Sequence, residues 1–278
     1  MYLSAERLAI VNQKILETFE DTSIAWQAIP HWDTGDPGQS RVRDDVVDTP
    51  GFLNLDLAHE DLQVTLVQTT APTPDSLIAE VTFATTKLAG TFDTTVLEAL
   101  GNAALLNLPI PYVPYDPPNE LLDALIDARA KVENEGYRAP SCLITNTKGL
   151  KDLSRLEAGY PIAETLLETA HVNALHRTSL YDADFPAVHP DGSEAGVDKP
   201  ATLMVMLGRR RLIPYCGAPD ASPGEEPVDL AVSVFPSLEV VGETADSKLE
   251  LSVRIRFAVR IKDPKPLVFL FGRPVVAP

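Results

Sequence analysis

Residues 141–161, SCLITNTKGLKDLSRLEAGYP, decide how the second half of the chain is read. Cys142, Leu143 and Ile144 form a short apolar run, which predicts a buried strand. A polar turn and a helix over about 147–157 follow. That helix ends at Gly159-Tyr160-Pro161, and a second helix, over about 161–175, begins at once. The stretch holds no nucleophile beside a base, no ligand cluster and no phosphate loop. Cys142, inside the strand, reads as a small buried hydrophobe rather than a reactive thiol.

Outward from this stretch, the second half is α/β. Residues 118–135 predict a helix capped by Asn119, with Leu121, Leu122, Leu125, Ile126 and Ala130 on its inner face. Leu203 to Leu207 is apolar throughout, which predicts a strand covered on both faces. Residues 182–200 and 217–227 read as long loops. Three strands close the chain, at 228–235, 248–261 and 266–271. The second places Leu249, Leu251, Val253, Ile255, Phe257, Val259 and Ile261 on one face, and Arg254, Arg256 and Arg260 on the other.

The first half divides at its prolines, which number 24 in the chain. Ser4 offers an N-cap, and Leu8, Val11, Ile15 and Phe19 recur at helical spacing, so 4–19 predicts an amphipathic helix. Residues 28–51 carry Pro, Gly and Asp throughout and read as a long arm, because Pro and Gly break both ladders. Residues 53–68 and 77–83 show alternation (Leu62, Val64, Leu66; Leu77, Ala79, Val81, Phe83) and read as two strands of a projecting hairpin, joined at 69–75. A helix over 92–106 and a rigid connector over 109–118 follow. The expected divisions are 1–52 (helix and arm), 53–83 (hairpin) and 84–278.

Composition bounds the function. At 278 residues and 45% apolar, the chain can bury a full core. No apolar run approaches the ~20 residues that span a bilayer, and the first residues lack a basic-then-apolar signal pattern. A soluble, cytoplasmic protein is the expectation. Two cysteines build no disulfide framework. A net charge of −17 argues against a nucleic-acid reader.

The order of elements from Asn119 to Leu270 resembles the encapsulin (linocin-like) family and the related major capsid proteins of tailed phages. Asn119–Glu135 with Gly136-Tyr137 matches the family's helix and Gly-aromatic turn, and Leu143-Ile144-Thr145-Asn146 its apolar strand. Glu157-Ala158-Gly159-Tyr160-Pro161-Ile162 matches the Gly-His/Tyr-Pro-Ile/Leu start of the next helix. Residues 203–207, 228–234 and 253–270 match the closing strands. The resemblance implies an α+β fold of the Hong Kong 97 phage capsid type, with an N-terminal helix and arm, an extended-loop hairpin, and peripheral and axial domains that interleave along residues 84–278. Beside the family's spine helix the one expected at 92–106 is short, and 182–200 and 217–227 look like insertions.

The resemblance also implies site residues, each with a plainer alternative. Leu8, Val11 and Ile15 either pack on the subunit's own core or hold a cargo peptide. His171, Asn173 and His176 are either surface residues or line a pore; the two histidines are poorly spaced for one metal. Trp32, Leu66, Val81 and Arg210 are expected at contacts between subunits. His31, Trp32, Asp33 and Asp36 suggest an interface anchor before a metal or sugar site. Arg209-Arg210-Arg211 is either a solvated basic turn or a partner for a neighbour's acidic loop such as Glu225-Glu226.

Three function classes follow. The first is a shell subunit that self-assembles into a closed icosahedral nanocompartment around a cargo protein, located in the cytoplasm. The second is a phage or prophage major capsid protein, found in the virion and enclosing DNA with scaffold and portal partners. Nothing like a scaffolding segment precedes the capsid-like elements, which favours the first. The third is an unrelated cytosolic α/β enzyme, disfavoured because no Ser/His/Asp, Walker or Gly-rich motif is present. No catalytic residue, metal, cofactor or membrane partner is expected.

Overall fold

Ser4 opens the first helix as its sequence predicts. Its hydroxyl accepts the Arg7 amide at 3.2 Å, and α1 runs over Ala5–Thr22 with Val11, Ile15 and Phe19 buried. The computed structural model describes residues 3–46, 50–113, 119–157, 159–182, 202–211, 225–244, 246 and 248–272. The chain forms two compact units: Met1–Asp45, Thr49–Val96 and Leu230–Arg260 make the first, and Val46–Asp48, Leu97–Asp229 and Ile261–Pro278 the second.

In the first unit Ser23 ends α1 and caps α2 (Ile24–Ala28), its hydroxyl accepting the Trp26 amide at 3.1 Å. Three short strands follow, β1 (His31–Asp33), β2 (Arg41–Arg43) and β3 (Phe52–Asn54), of which β2 and β3 pair antiparallel. Next come β4 (Asp56–Thr65), α3 (Leu66–Thr70) and α4 (Asp75–Leu105). α3 starts with a reciprocal capping box between Thr65 and Gln68.

The helix α4 corrects two expectations. Residues 77–83 are helical, so the hairpin read over 53–83 has no second strand. The helix expected at 92–106 begins at Asp75 and is 31 residues long, so the chain does have a long spine. The physical reason is a degenerate pattern. Leu77, Val81, Ala84, Leu88, Phe92, Val96 and Leu100 are buried and recur at helical spacing, whereas Phe83, on the face expected of a strand, is 62% exposed. The pairing partner of β4 is instead a strand from the chain's last third.

The second unit contains β5 (Ile110–Tyr112), α5 (Asn119–Asn134), β6 (Tyr137–Thr145), α6 (Thr147–Leu153), the two-residue strands β7 (Leu156–Glu157) and β8 (Tyr160–Pro161), α7 (Ala163–Thr169), β9 (Val172–Arg177) and β10 (Thr202–Arg211). β11 (Val228–Glu243) and β12 (Lys248–Ile261) then contribute most of their length to the first unit, and β13 (Leu267–Gly272) returns to the second.

The sheet of the first unit has the order β1-β11-β12-β4, with β4 registered against β12 from Asp56↔Phe257 to Thr65↔Lys248. The apolar face of β12 is buried from Leu249 to Phe257, as its alternation predicts. The second sheet has the order β5-β13-β10-β6-β9. Its centre is β10, where Leu203 to Leu207 are all buried, as expected of a strand covered on both faces. Leu125, Val132, Leu143, Leu153, Met204, Met206, Val268 and Leu270 form one core cluster there.

The quoted stretch folds nearly as read. Cys142, Leu143 and Ile144 are fully buried in β6, and Asn146 caps α6 by accepting the Gly149 amide at 2.8 Å. Gly149 is required by close approach, since a Cβ there would lie 2.0 Å from Thr145 Oγ1. Two boundaries differ. α6 stops at Leu153, and β7 and β8 make a miniature hairpin around Gly159, whose φ of +87° suits glycine. The helix expected over 161–175 ends at Thr169, because His171 takes a left-handed φ of 51° and residues 172–177 pair in parallel with β6. Most of the loops expected at 182–200 and 217–227 lie outside the described residues.

Candidate assembly surface

The three arginines alternating on the polar face of β12 do what their spacing alone does not show. The Arg254 guanidinium pairs with Glu239 on β11. Arg256 donates to the Pro37 carbonyl at 3.3 Å. Arg260, itself buried, donates to the Arg43 carbonyl at 3.1 Å, pairs with Asp45, and lies 4.7 Å over the Trp32 ring. Arg256 and Arg260 therefore strap the arm across the sheet. Val42 and Leu55 pack beneath it on Ala231 and Ala258, with Trp32 and Leu53 alongside. The arm is held by its own chain, and Trp32 is half-buried there. The arginines were legible in the sequence; the partners of Arg256 and Arg260, more than 200 residues away, were not.

The start of α2 is anchored by a residue the sequence did not single out. Asp93 on α4 accepts the Ser23 hydroxyl at 2.6 Å and the Ile24 and Ala25 amides at 3.0 Å each. Burial pushes its carboxyl above the ordinary value, against the three hydrogen bonds that favour the ionised form. Around it Phe92 meets Phe19, Trp26 and Phe257 edge-on, with ring centroids at 5.2, 6.0 and 4.5 Å. At the other end of α1, the Arg7 guanidinium donates to the Thr69 and Ala71 carbonyls.

Of the residues expected to hold cargo, Val11 and Ile15 are fully buried in the first unit. They are spent on the subunit's own core, and only Leu8 is half-exposed, beside the exposed Ile10. Val81, expected at a subunit contact, is likewise fully buried, because the helix turns it inward. Leu66 is half-buried on α3. The backbone of Arg210 pairs with Arg138, while the side chains of Arg209, Arg210 and Arg211 lie outside the described residues. His31 stacks on Trp26 at 3.7 Å, and Asp33 and Asp36 accept the Gly35 and Gly38 amides within their turns. His171 and Asn173 are exposed at the edge strand β9, and His176 is half-buried.

What the described residues leave open is apolar and edge-like. Phe52 on the β2–β3 hairpin is 71% exposed, and Val67 on α3 is 77% exposed. Strand β4 lies at the edge of its sheet. Beside it a cavity of about 210 Å³ runs along α4, lined by Glu60, Asp61, Glu80, Phe83 and Lys87 among others. In the second unit Leu156 and Tyr160 stand out from the β7–β8 hairpin. Large exposed apolar side chains and an open sheet edge are features that association covers.

No family model and no curated protein matches the sequence. Solved structures do match. A virus-like particle from Pyrococcus furiosus superposes with a TM-score of 0.67 at 16% identity, over 96% of this chain and 100% of its own. The mature capsid of bacteriophage PhiM1 gives 0.54 at 10% identity, over 94% and 87%. An encapsulin complex of Synechococcus elongatus PCC 7942 gives 0.50 at 12% identity, over 92% and 90%. With its two interleaved units, long spine helix and strapped arm, the chain has the α+β fold of the Hong Kong 97 capsid type that phage capsid proteins and encapsulins share.

Proposed function

We propose that this protein is a structural shell subunit that assembles with many copies of itself into a closed icosahedral compartment of the encapsulin type, enclosing a cargo protein in the cytoplasm. The observation that carries the reading is end-to-end correspondence with a particle-forming chain, 96% of this chain against 100% of the other. The exposed Phe52, Val67, Phe83, Leu156 and Tyr160 supply apolar surface for neighbours to cover. Several cations of the described residues are paired within the chain, Arg155 with Asp152, Arg254 with Glu239, Arg260 with Asp45 and Lys262 with Asp229. The net charge of −17 makes the chain ill-suited to condensing nucleic acid. Cargo is assigned to the open side of α1 at Leu8, and the rim of a pore to His171 and Asn173.

A second reading, a phage major capsid protein in a DNA-filled virion, is favoured by the match to the PhiM1 capsid. Purification separates the two. Shells should elute near the void of a large-pore column and show uniform closed particles by negative stain. Protein-like absorbance with a co-purifying protein supports the compartment, and nuclease-protected DNA supports the capsid. A well-folded monomer or dimer at every salt concentration overturns both.

A further inference from the structure

Three long elements carry the chain between its units: α4 at Val96/Leu97, β11 at Asp229/Leu230 and β12 at Arg260/Ile261. On the second unit's side they all lead to one short turn, residues 262–267, KDPKPL. The side-chain amide of Asn107, two residues beyond α4, donates to the Pro264 and Leu267 carbonyls at 2.6 and 2.8 Å. The Pro227 carbonyl, just ahead of β11, accepts the Lys262 and Asp263 amides at 2.8 and 3.2 Å. The Tyr137 hydroxyl donates to Asp263 at 3.0 Å. Within this knot Lys262 Nζ meets the Asp229 carboxylate at 2.9 Å, with side chains 8% and 4% exposed.

A buried ion pair is a poor device for stability alone. Desolvating both charges offsets most of their attraction, and apolar residues of like volume often serve the fold as well or better. What such a pair does provide is registry. Asp229 is the second residue of β11 and Lys262 directly follows β12, so only one alignment of these neighbouring strands satisfies both charges.

We infer that the Asp229–Lys262 pair, with the Asn107 clamp, is a registry pin that fixes the alignment of β11 with β12 and the seat of the 262–267 turn, and that this fixed register is what lets subunits close into particles of one size. This rests on the shell reading and adds to it the residues that make particle size uniform. A subunit without the pin keeps its fold and its contacts but no longer selects one closure.

The test is the apolar pair Asp229→Leu with Lys262→Met, expressed as the full chain and compared with wild type by thermal melting and cryo-electron microscopy. The expected result is a subunit melting at or above the wild-type temperature that forms particles of more than one diameter, or open sheets. Particles with the wild-type diameter and spread overturn the inference. Folded subunits that stay monomeric also overturn it, since the pair would then act on association itself. Should the double variant fail to fold, Asn107→Ala, which introduces no buried charge, decides by the same diameter measurement. Wild-type protein that forms no particle would sink the shell reading instead.

Discussion

Val81 and Phe83 stand two residues apart, and replacing each with Asp should give opposite outcomes. In a strand they would share a face; on α4 they are about 200° apart around the axis. Val81 is 0% and Phe83 62% exposed. Val81→Asp forfeits about 1.5–3 kcal/mol of apolar burial. It also strands a carboxylate with no cation, at a cost of about 3–5 kcal/mol by analogy with broken buried pairs. Together these approach the 5–15 kcal/mol, roughly, that holds a typical domain folded. Phe83→Asp loses a contact in which Lys87 Nζ sits 4.7 Å over the ring. That contact contributes about 0.5–1 kcal/mol at an exposed site. An Asp–Lys pair at i,i+4 returns about 0.2–0.5 kcal/mol. Phe83→Asp should therefore melt within a few degrees of wild type and yet fail to form shells, because it adds charge beside Glu60 and Glu80 and removes apolar contact area. Val81→Asp should be insoluble or lack a cooperative transition. Circular dichroism melts of the soluble fractions, followed by negative stain, measure both. Equal melting temperatures for the two variants would refute the helical placement of 77–83.

Arg260→Met should free the arm from the sheet. It removes the Asp45 and Arg43 contacts, worth about 1–3 kcal/mol together, and should speed tryptic cleavage after Arg41 and Arg43; unchanged cleavage would show that Val42 and Leu55 suffice. Gly149→Ala should cost about 1–3 kcal/mol through overpacking, because its methyl would also lie 3.0 Å from Met204 Cε; an unaltered melting temperature would contradict the close approach. Burial raises the Asp93 carboxyl, so the folded chain binds its proton more tightly than the unfolded chain and that protonation favours the fold. Wild type should accordingly gain stability over Asp93→Asn as pH falls from neutrality towards the ordinary value of 3.8 and lose the gain as pH rises through the folded value; a flat or inverted difference in melting temperature across pH would count against it. With −17 per chain, salt that shortens repulsion to ~8 Å should tighten shells at alkaline pH. Light scattering that instead falls with added salt would point to ion pairs between subunits.

Several elements were settled by local chemistry. Ser4 with Leu8, Val11, Ile15 and Phe19 specified a capped helix, and the alternation from Leu249 to Phe257 specified a strand with one buried face. The unbroken apolar run at Leu203 to Leu207 specified a strand with two. The order of these elements was enough to indicate the capsid-type fold. Local pattern could not arbitrate at 77–83, where Leu77 and Val81 satisfy both the two-residue and the four-residue spacing. Burial along a 31-residue helix decided it. Nor could pattern say that residues 172–177 leave the helical register to pair with β6, or that Val11 and Ile15 close onto their own core rather than a cargo peptide. The arginines of β12 and the charges at Asp229 and Lys262 were visible as residue types but mute as to role, because their partners lie tens to hundreds of positions away. Periodicity records which side of an element is apolar. Which neighbour covers that side, and which carbonyl or carboxylate receives a given cation, is set by contacts that exist only once the chain has folded.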